Sequence, residues 1–231
     1  MKYKDLFIDF DDTIYDTRGN AEIALRELYD HFRLDRYFDS VEEFTLPYWK
    51  ANVELWTQYS KGEIERDYLI VERFRRPLSC GRGLNPDRSF CLEVSDVFLD
   101  LCSTKPGIVT GARELLDYLM GKYRLHLCSN GFHEVQYRKL DASDTTRYFD
   151  TVVLSEDAGV NKPAKEFFDY ALKVTGADAE STIMIGDNLN TDILGARRAG
   201  IDTLYFNRWQ TDDTEEVTYR VDCLKEIIGI L

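Results

Sequence analysis

The run Leu6-Phe7-Ile8-Asp9-Phe10-Asp11-Asp12-Thr13-Ile14 joins an apolar stretch of strand character to three carboxylates at its carboxyl end. Ionised carboxylates crowded at a buried strand terminus repel one another and are costly to desolvate, so such a group serves a cation or a reaction. In open α/β sheets, chemistry sits in the crevice outside the carboxyl ends of the strands. Side chains two apart on an extended backbone point the same way, so the spacing predicts Asp9 and Asp11 facing one site and Asp12 pointing elsewhere. A lone Asp-x-Asp also reads as an acidic N-cap of the next helix. Three clusters downstream favour a site.

The first, Leu125-His126-Leu127-Cys128-Ser129-Asn130-Gly131, is another apolar run, ending in a hydroxyl, an amide and a glycine. A strand turning through Ser-Asn-Gly into a helix presents N–H groups and a hydroxyl suited to phosphate oxygens, although alone the triplet is an ordinary turn. The second, Val160-Asn161-Lys162-Pro163, precedes a helical pattern over Ala164 to Thr175. It predicts Pro163 in the first helical turn and Lys162 just outside the positive end, as a point charge for a phosphoryl group. In the third, Thr182-Ile183-Met184-Ile185-Gly186-Asp187, a strand again ends in Gly-Asp, and Asp192 follows five residues later. Asp192 falls near the first turn of a helix running to Ala199, with Gly200 as its C′ residue, and there it also reads as a helix-dipole partner. Asp187, at a strand tip, has no such structural role to explain it.

Together these clusters resemble the haloacid dehalogenase-like hydrolase superfamily. Asp9-Phe10-Asp11-Asp12-Thr13 matches its first motif, Ser129-Asn130 its second, Lys162-Pro163 its third, and Gly186-Asp187 through Asp192 its fourth. The resemblance implies an α/β fold: a Rossmann-like parallel sheet core flanked by helices, with an all-helical cap domain inserted after the first strand. It also implies a Mg²⁺-dependent phosphotransferase. In that scheme Asp9 is the nucleophile, with its other oxygen on Mg²⁺. Asp11 is the general acid and base, its backbone carbonyl also on the metal. Asp187 is the second metal-binding carboxylate, and Asp192 a nearby acid acting directly or through water. Ser129, the Asn130 backbone and Lys162 hold the non-bridging phosphate oxygens.

The residue types suit that chemistry. Phosphoryl transfer spreads negative charge over equatorial oxygens, so positioning and neutralisation dominate. Magnesium takes oxygen ligands and keeps several waters. An aspartate nucleophile splits the reaction into formation and hydrolysis of an aspartyl-phosphate. A second carboxylate protonates the leaving alkoxide and then deprotonates water, and crowding by like charges is expected to keep Asp11 protonated part of the time. Halide needs no proton to leave, so the acid at Asp11 disfavours a 2-haloacid dehalogenase. The complete set of acids disfavours a non-catalytic interaction module.

With 231 residues the chain is long enough for one large domain or a core plus a lid. A net charge of −13 disfavours nucleic-acid polymers, which bind basic surfaces. The five cysteines lack paired spacing, which predicts a reduced, cytoplasmic setting. No run approaches the ~18 apolar residues of a membrane span, and the N-terminus enters a strand without a signal-like segment. The expected partner is a small-molecule phosphomonoester, with no membrane, in a monomer or weak homodimer.

Strand-like runs near 4–10, 124–129, 151–155, 182–186 and 203–206, with a weaker one near 219–222, alternate from residue 106 onward with helical patterns over Gly111–Lys122, Phe132–Leu140 and Ala164–Thr175. That alternation predicts βαβ units and a parallel sheet. Residues 16–92 read as helix throughout and are assigned to the cap, leaving 1–15 and 93–231 to the catalytic core. Ser40-x-x-Glu43 and Ser60-x-x-Glu63 fit capping boxes at two helix starts, and another helix is expected near 87–103. The acidic segment Asp212-Asp213-Thr214-Glu215-Glu216 reads as a solvated loop.

Ser129-Asn130-Gly131-Phe132, the segment Val153 to Pro163, and Phe167 to Leu172 are similar to the pyrimidine 5′-nucleotidase branch of the superfamily, as are Asn52 to Trp56 in the cap. This makes a nucleoside monophosphate the expected substrate, with sugar or other small metabolite phosphates as the rival class. Asn161 stands where several members of the superfamily carry a small or basic residue. Trp49, Asn52 and Trp56 share one helix face, the pattern of either a packing stripe or a nucleoside pocket. Asn52 and Trp56 are the candidates for the pocket. His133, two residues past Gly131, reads as a helix-start histidine that could also approach the site.

Overall fold

A computed structural model describes residues 2–231. The chain forms two compact units: one runs to Thr17 and resumes at Pro106–Leu231, and the other is Arg18–Lys105.

The first unit is built on strands β1 (Asp5–Ile8), β2 (Arg124–Ser129), β3 (Thr151–Leu154), β4 (Thr182–Gly186), β5 (Asp202–Phe206) and β6 (Tyr219–Val221). They form one sheet in the order β3-β2-β1-β4-β5-β6, with every pairing parallel. Central strands of a parallel sheet are covered on both faces, which is why β1 and β4 read as continuous apolar runs and are buried throughout. Side chains nevertheless alternate between two cores. Leu6 and Ile8 join Leu127, Ile185, Leu204 and Leu224 on one side, against helix α5 (Ala112–Leu119). Phe7 joins Cys128, Met184 and Phe168 on the other, against helix α8 (Lys165–Thr175). In register, Ile8 pairs with Leu127 on one side and Ile185 on the other. The carboxyl ends of β1, β2 and β4 therefore lie side by side, and successive strands switch direction across the sheet between β1 and β4. Such a switch point opens a crevice at the strand tips.

The second unit packs helices α1 (Thr17–His31), α2 (Val41–Ser60), α3 (Arg66–Leu78) and α4 (Arg88–Ser103) around Leu25, Phe44, Tyr48, Phe74 and Phe98. This helical unit runs from Arg18 to Lys105, not over the 16–92 expected of the cap. The reason is α4, which buries Cys91, Val94, Phe98 and Cys102. Ser40 caps α2, accepting from the Glu43 N–H at 3.4 Å. Ser60 does not start a helix. It ends α2, with its hydroxyl donating back to the Trp56 carbonyl at 2.8 Å, and the next helix begins at Arg66. The rest of the first unit includes α6 (His133–Ala142), α7 (Ser155–Ala158) and α9 (Leu194–Arg198). Pro163 is not in the first turn of α8 as expected: Ala164 is the N-cap, and a cis peptide joins Lys162 to Pro163 just before it. Gly200 has the positive φ expected one residue past the C-cap Ala199. Residues 211–216 are exposed and irregular. Among the described residues, no helix is long and apolar enough to cross a membrane.

Candidate active site

The turn after β1 brings the first acids to the crevice. The Asp9 N–H donates to the Ile185 carbonyl at 2.9 Å, which extends the β1–β4 ladder one residue beyond the strand. The chain then reverses, with the Ile14 and Tyr15 N–H groups both donating to the Phe10 carbonyl. Asp12 takes a left-handed φ of 61°, which the short polar side chain of aspartate tolerates. Its carboxylate turns to Arg208, which donates to it at 2.9 Å and also reaches Asp16. The turn, not strand alternation, thus gives Asp12 a partner of its own in Arg208.

Asp9, Asp187 and Asp192 converge, each offering an oxygen within 4.8 Å of the others. Thr13, fully buried, links two of them: its hydroxyl lies 3.2 Å from Asp9 Oδ2 and 3.4 Å from Asp187 Oδ1, and its oxygen accepts the Asp187 N–H at 3.1 Å. Asp192 lies in the π-turn Leu189–Ile193 ahead of α9 and accepts the Asn188 N–H. It can approach the β4 tip because residue 186 is glycine; a Cβ there would stand 2.3 Å from Asp192 Oδ2.

Lys162 is 1% exposed, and its ammonium donates at 2.7 Å to Asp9 Oδ1, Asp192 Oδ1 and the Cys128 carbonyl. Burial alone would drive off its proton, but the flanking Asp192 and Asp9 carboxylates hold it charged. Burial pushes the Asp9 carboxyl up to about 7, with Lys162 opposing the shift and Asp192 and Asp11 adding to it. Burial, then the neighbouring Asp9 and Asp192, also raise Asp187 well above the usual carboxylate range.

Asp11 departs from expectation. Its burial would raise its pKa, but Lys139 at 2.5 Å, Thr17 and Gln136 outweigh that and hold it below the usual range. Like-charge crowding therefore does not keep it protonated in this structure. Its carboxylate lies apart from the three-acid cluster, in its own shell of donors.

Ser129, buried at the β2 tip, accepts from the Gly131 N–H at 3.0 Å and from Gln136 Nε2 at 2.9 Å. Neither bond uses its own hydrogen, which is left to donate. Asn130 ties two loops together: its side chain donates to the Lys162 carbonyl at 2.9 Å and accepts the Lys162 N–H at 2.8 Å. Asn161, half-buried, lies next to that junction. His133 opens α6 as an exposed residue, its N–H donating to Glu156 and its ring against Tyr137 at 4.7 Å, which accords with a helix-start role. Asn52 and Trp56 are half-buried on α2 in the helical unit, the Trp56 ring 5.6 Å from that of Tyr59. Neither belongs to the acid cluster.

Thr13, Thr17, Gln136, Lys139 and Arg208 all bond to the site's acids without standing in any of the four motifs' functional positions. Thr13 and Thr17 lie near the acids in sequence, which was the one available signal. The others come from distant segments, and nothing in their local pattern marks them.

A family model of haloacid dehalogenase-like hydrolases matches residues 3–200. The HAD-hydrolase YfnB of Bacillus subtilis (strain 168) is 30% identical over all of this chain and 96% of its own length. A crystal structure of YfnB, bound to magnesium and revealing interdomain movement, superposes with a TM-score of 0.89 over 100% of this chain and 99% of that one. The pyrimidine 5′-nucleotidase YjjG of Escherichia coli (strain K12) is 30% identical over 100% of this chain and 99% of its own. A glyceraldehyde 3-phosphate phosphatase of Methanothermobacter thermautotrophicus is 28% identical over 90% of this chain and 88% of its own. With acids at the tips of β1 and β4, a hydroxyl at the tip of β2 and a match over most of its length, this chain belongs to the haloacid dehalogenase-like hydrolases.

Proposed function

We propose that this chain hydrolyses phosphomonoesters with Mg²⁺, through an acyl phosphate formed on Asp9, and that its substrate is a pyrimidine nucleoside 5′-monophosphate. One observation carries the chemistry: three carboxylates converge around one ammonium, which pairs with only Asp9 and Asp192, so with all three ionised two negative charges stay uncancelled. A divalent cation cancels that excess, and a donor set made only of oxygen suits a hard ion. Asp9, Asp187 and the backbone carbonyl of Asp11 would hold Mg²⁺, with Asp192 beside it or bridged by water. Bound there, the ion neutralises charge on the transferring phosphoryl group.

The chain's own residues do the rest. Thr13 and Lys162 fix the rotamer of Asp9, one on each oxygen. Asp9 attacks phosphorus as the bond to the leaving oxygen breaks, and Asp11, ionised in the free site, first takes the proton that a monoanionic ester carries in and then delivers it to that oxygen. Asp11 then takes a proton from water as the water attacks phosphorus and frees Asp9. Ser129 donates its unclaimed hydrogen to a non-bridging oxygen, joined by the Asn130 N–H. Lys162 would exchange one of its three acceptors for another such oxygen.

The choice of a pyrimidine nucleotide is supported by the full-length similarity to YjjG and by the Val153–Pro163 segment. Similarity to the glyceraldehyde 3-phosphate phosphatase supports a small metabolite phosphate as the second reading. Turnover across pyrimidine and purine 5′-monophosphates, sugar and triose phosphates and 4-nitrophenyl phosphate, each with Mg²⁺, tests both. The highest kcat/KM is expected for a pyrimidine nucleotide. A higher value for a sugar or triose phosphate transfers the assignment to that class, and no turnover of any ester removes the phosphatase reading.

A further inference from the structure

Helix α6 carries two buried polar side chains, Gln136 and Lys139, for which the reaction scheme above names no task. Three residues apart, they share one helix face and reach the same target. Lys139 Nζ lies 2.5 Å from Asp11 Oδ1. Gln136 Nε2 donates both to Asp11 Oδ2 at 2.5 Å and to Ser129 Oγ at 2.9 Å.

Packing alone does not account for the pair. Gln136 is fully buried, yet its Oε1 has no hydrogen-bond partner among the described residues, so only the donor half of the amide is used. An apolar residue of similar volume would fill the space without an orphaned carbonyl. The loop after β2 is also shaped around the amide: a Cβ on Gly131 would stand 1.7 Å from Gln136 Nε2. Lys139 gives Asp11 a counter-charge of its own, leaving Lys162 to Asp9 and Asp192.

We propose that Gln136 and Lys139 are positioning residues, and that α6 is the arm that holds the Asp11 carboxyl at a set distance from Ser129 and the phosphoryl group seated on it. The inference rests on the reading of Asp11 as the acid–base group. A proton donor must meet the leaving oxygen within hydrogen-bond reach, and a single amide touching both Asp11 and the phosphate contact fixes that distance. A displacement of ~1 Å at such a group costs ~10²-fold in rate.

The test is first-turnover release of the leaving group, by rapid quench of the Mg²⁺-loaded protein, for two esters. An alkyl phosphate needs a proton on its leaving oxygen, whereas 4-nitrophenyl phosphate leaves as a stable phenolate. Lys139→Met and Gln136→Leu are expected to slow alkyl release by about ten- to a hundredfold and aryl release by less than about threefold. Lys139→Arg, which keeps the charge, should recover most of the alkyl rate. The aryl rate also reports that each variant retains a folded site. Equal losses on both esters, or no loss on either, overturn the proposal. Asp11→Asn run alongside separates the two levels of the argument. If it alone shows the alkyl-selective loss, the positioning role fails and the reading of Asp11 stands. If it shows none, that reading fails and the positioning role fails with it.

Discussion

Without metal, the Asp9 carboxyl is pulled two ways. Lys162 and Thr13 hold its oxygens, while burial and the neighbouring acids push its pKa from 3.8 to about 7. A carboxyl whose folded-state pKa lies above its unfolded value binds its proton more tightly when folded. Its contribution to stability is full below the unfolded value and is lost as pH rises through the folded one. The Tm of chelator-treated protein should therefore fall between roughly pH 4 and pH 8. Asp187 is shifted in the same direction, so Asp187→Asn should flatten that fall and raise the metal-free Tm at the alkaline end. It should also abolish the rise in Tm with Mg²⁺, whose free energy for a site filled at a hundredfold excess over Kd amounts to about 2.7 kcal/mol. A metal-free Asp187→Asn protein less stable than wild type at that pH would mean that the acids' hydrogen bonds outweigh their repulsion. Asp9→Asn keeps the shape and removes the nucleophile, so turnover should drop by roughly a thousandfold or more with an unchanged far-UV spectrum. Retention of a tenth of the activity, a difference of only ~1.4 kcal/mol, would take the nucleophile's role from Asp9.

At the scale of elements, two glycines decide how closely side chains approach strand tips. Gly186 ends β4 and lets Asp192 fold back over it; Gly131 follows β2 and admits Gln136. In Gly186→Ala the new methyl would meet Asp192 Oδ2 at 2.3 Å, against a turn held by Asn188. Displacing Asp192 should weaken Mg²⁺ affinity at least about tenfold, and overpacking should lower stability by about 1–3 kcal/mol. Metal titration followed by thermal unfolding checks both, and unchanged affinity would show that Asp192 has no part in holding metal. The strands were legible because parallel central strands are apolar on both faces, as in Thr182–Gly186. Helix ends were less so. Ser40 and Ser60 precede the same three-residue spacing, but Ser60 closes α2 while Ser40 opens it. A capping box describes only local donors and acceptors, whereas the length of α2 follows from the residues it buries in the helical core, Phe44, Tyr48, Ala51 and Leu55.

At the scale of the molecule, the acids, Ser129, Asn130 and Lys162 belong to the unit built on the sheet, and nothing in them can recognise a base or a sugar. Activity should vanish on exhaustive chelation and return with Mg²⁺, with Ca²⁺ a poor substitute, because calcium takes more and longer oxygen contacts and would draw both Asp9 oxygens onto itself. Full turnover after chelation would rule out the metal-assisted scheme. Recognition of the base by Asn52 on α2 is a proposal with its own test. Asn52→Ala should lower kcat/KM for a pyrimidine nucleotide roughly tenfold, about one hydrogen bond, and leave 4-nitrophenyl phosphate nearly unchanged. Equal losses on both substrates would indicate general damage to α2 and remove Asn52 from the pocket.

The parallel sheet, the strand tips that carry Asp9, Ser129 and Asp187, and the family are legible in the chain alone, because apolar periodicity and short motifs are local properties. Tertiary structure decided which charge answers which. Lys162 stands between Asp9 and Asp192, and Lys139 and Gln136 take Asp11 from 128 and 125 residues away. It also decided the protonation of Asp11, which local crowding of acids predicts wrongly. Ion pairing and desolvation depend on distances across the fold, and those distances exist only once β1, β2, β4 and α6 have packed together.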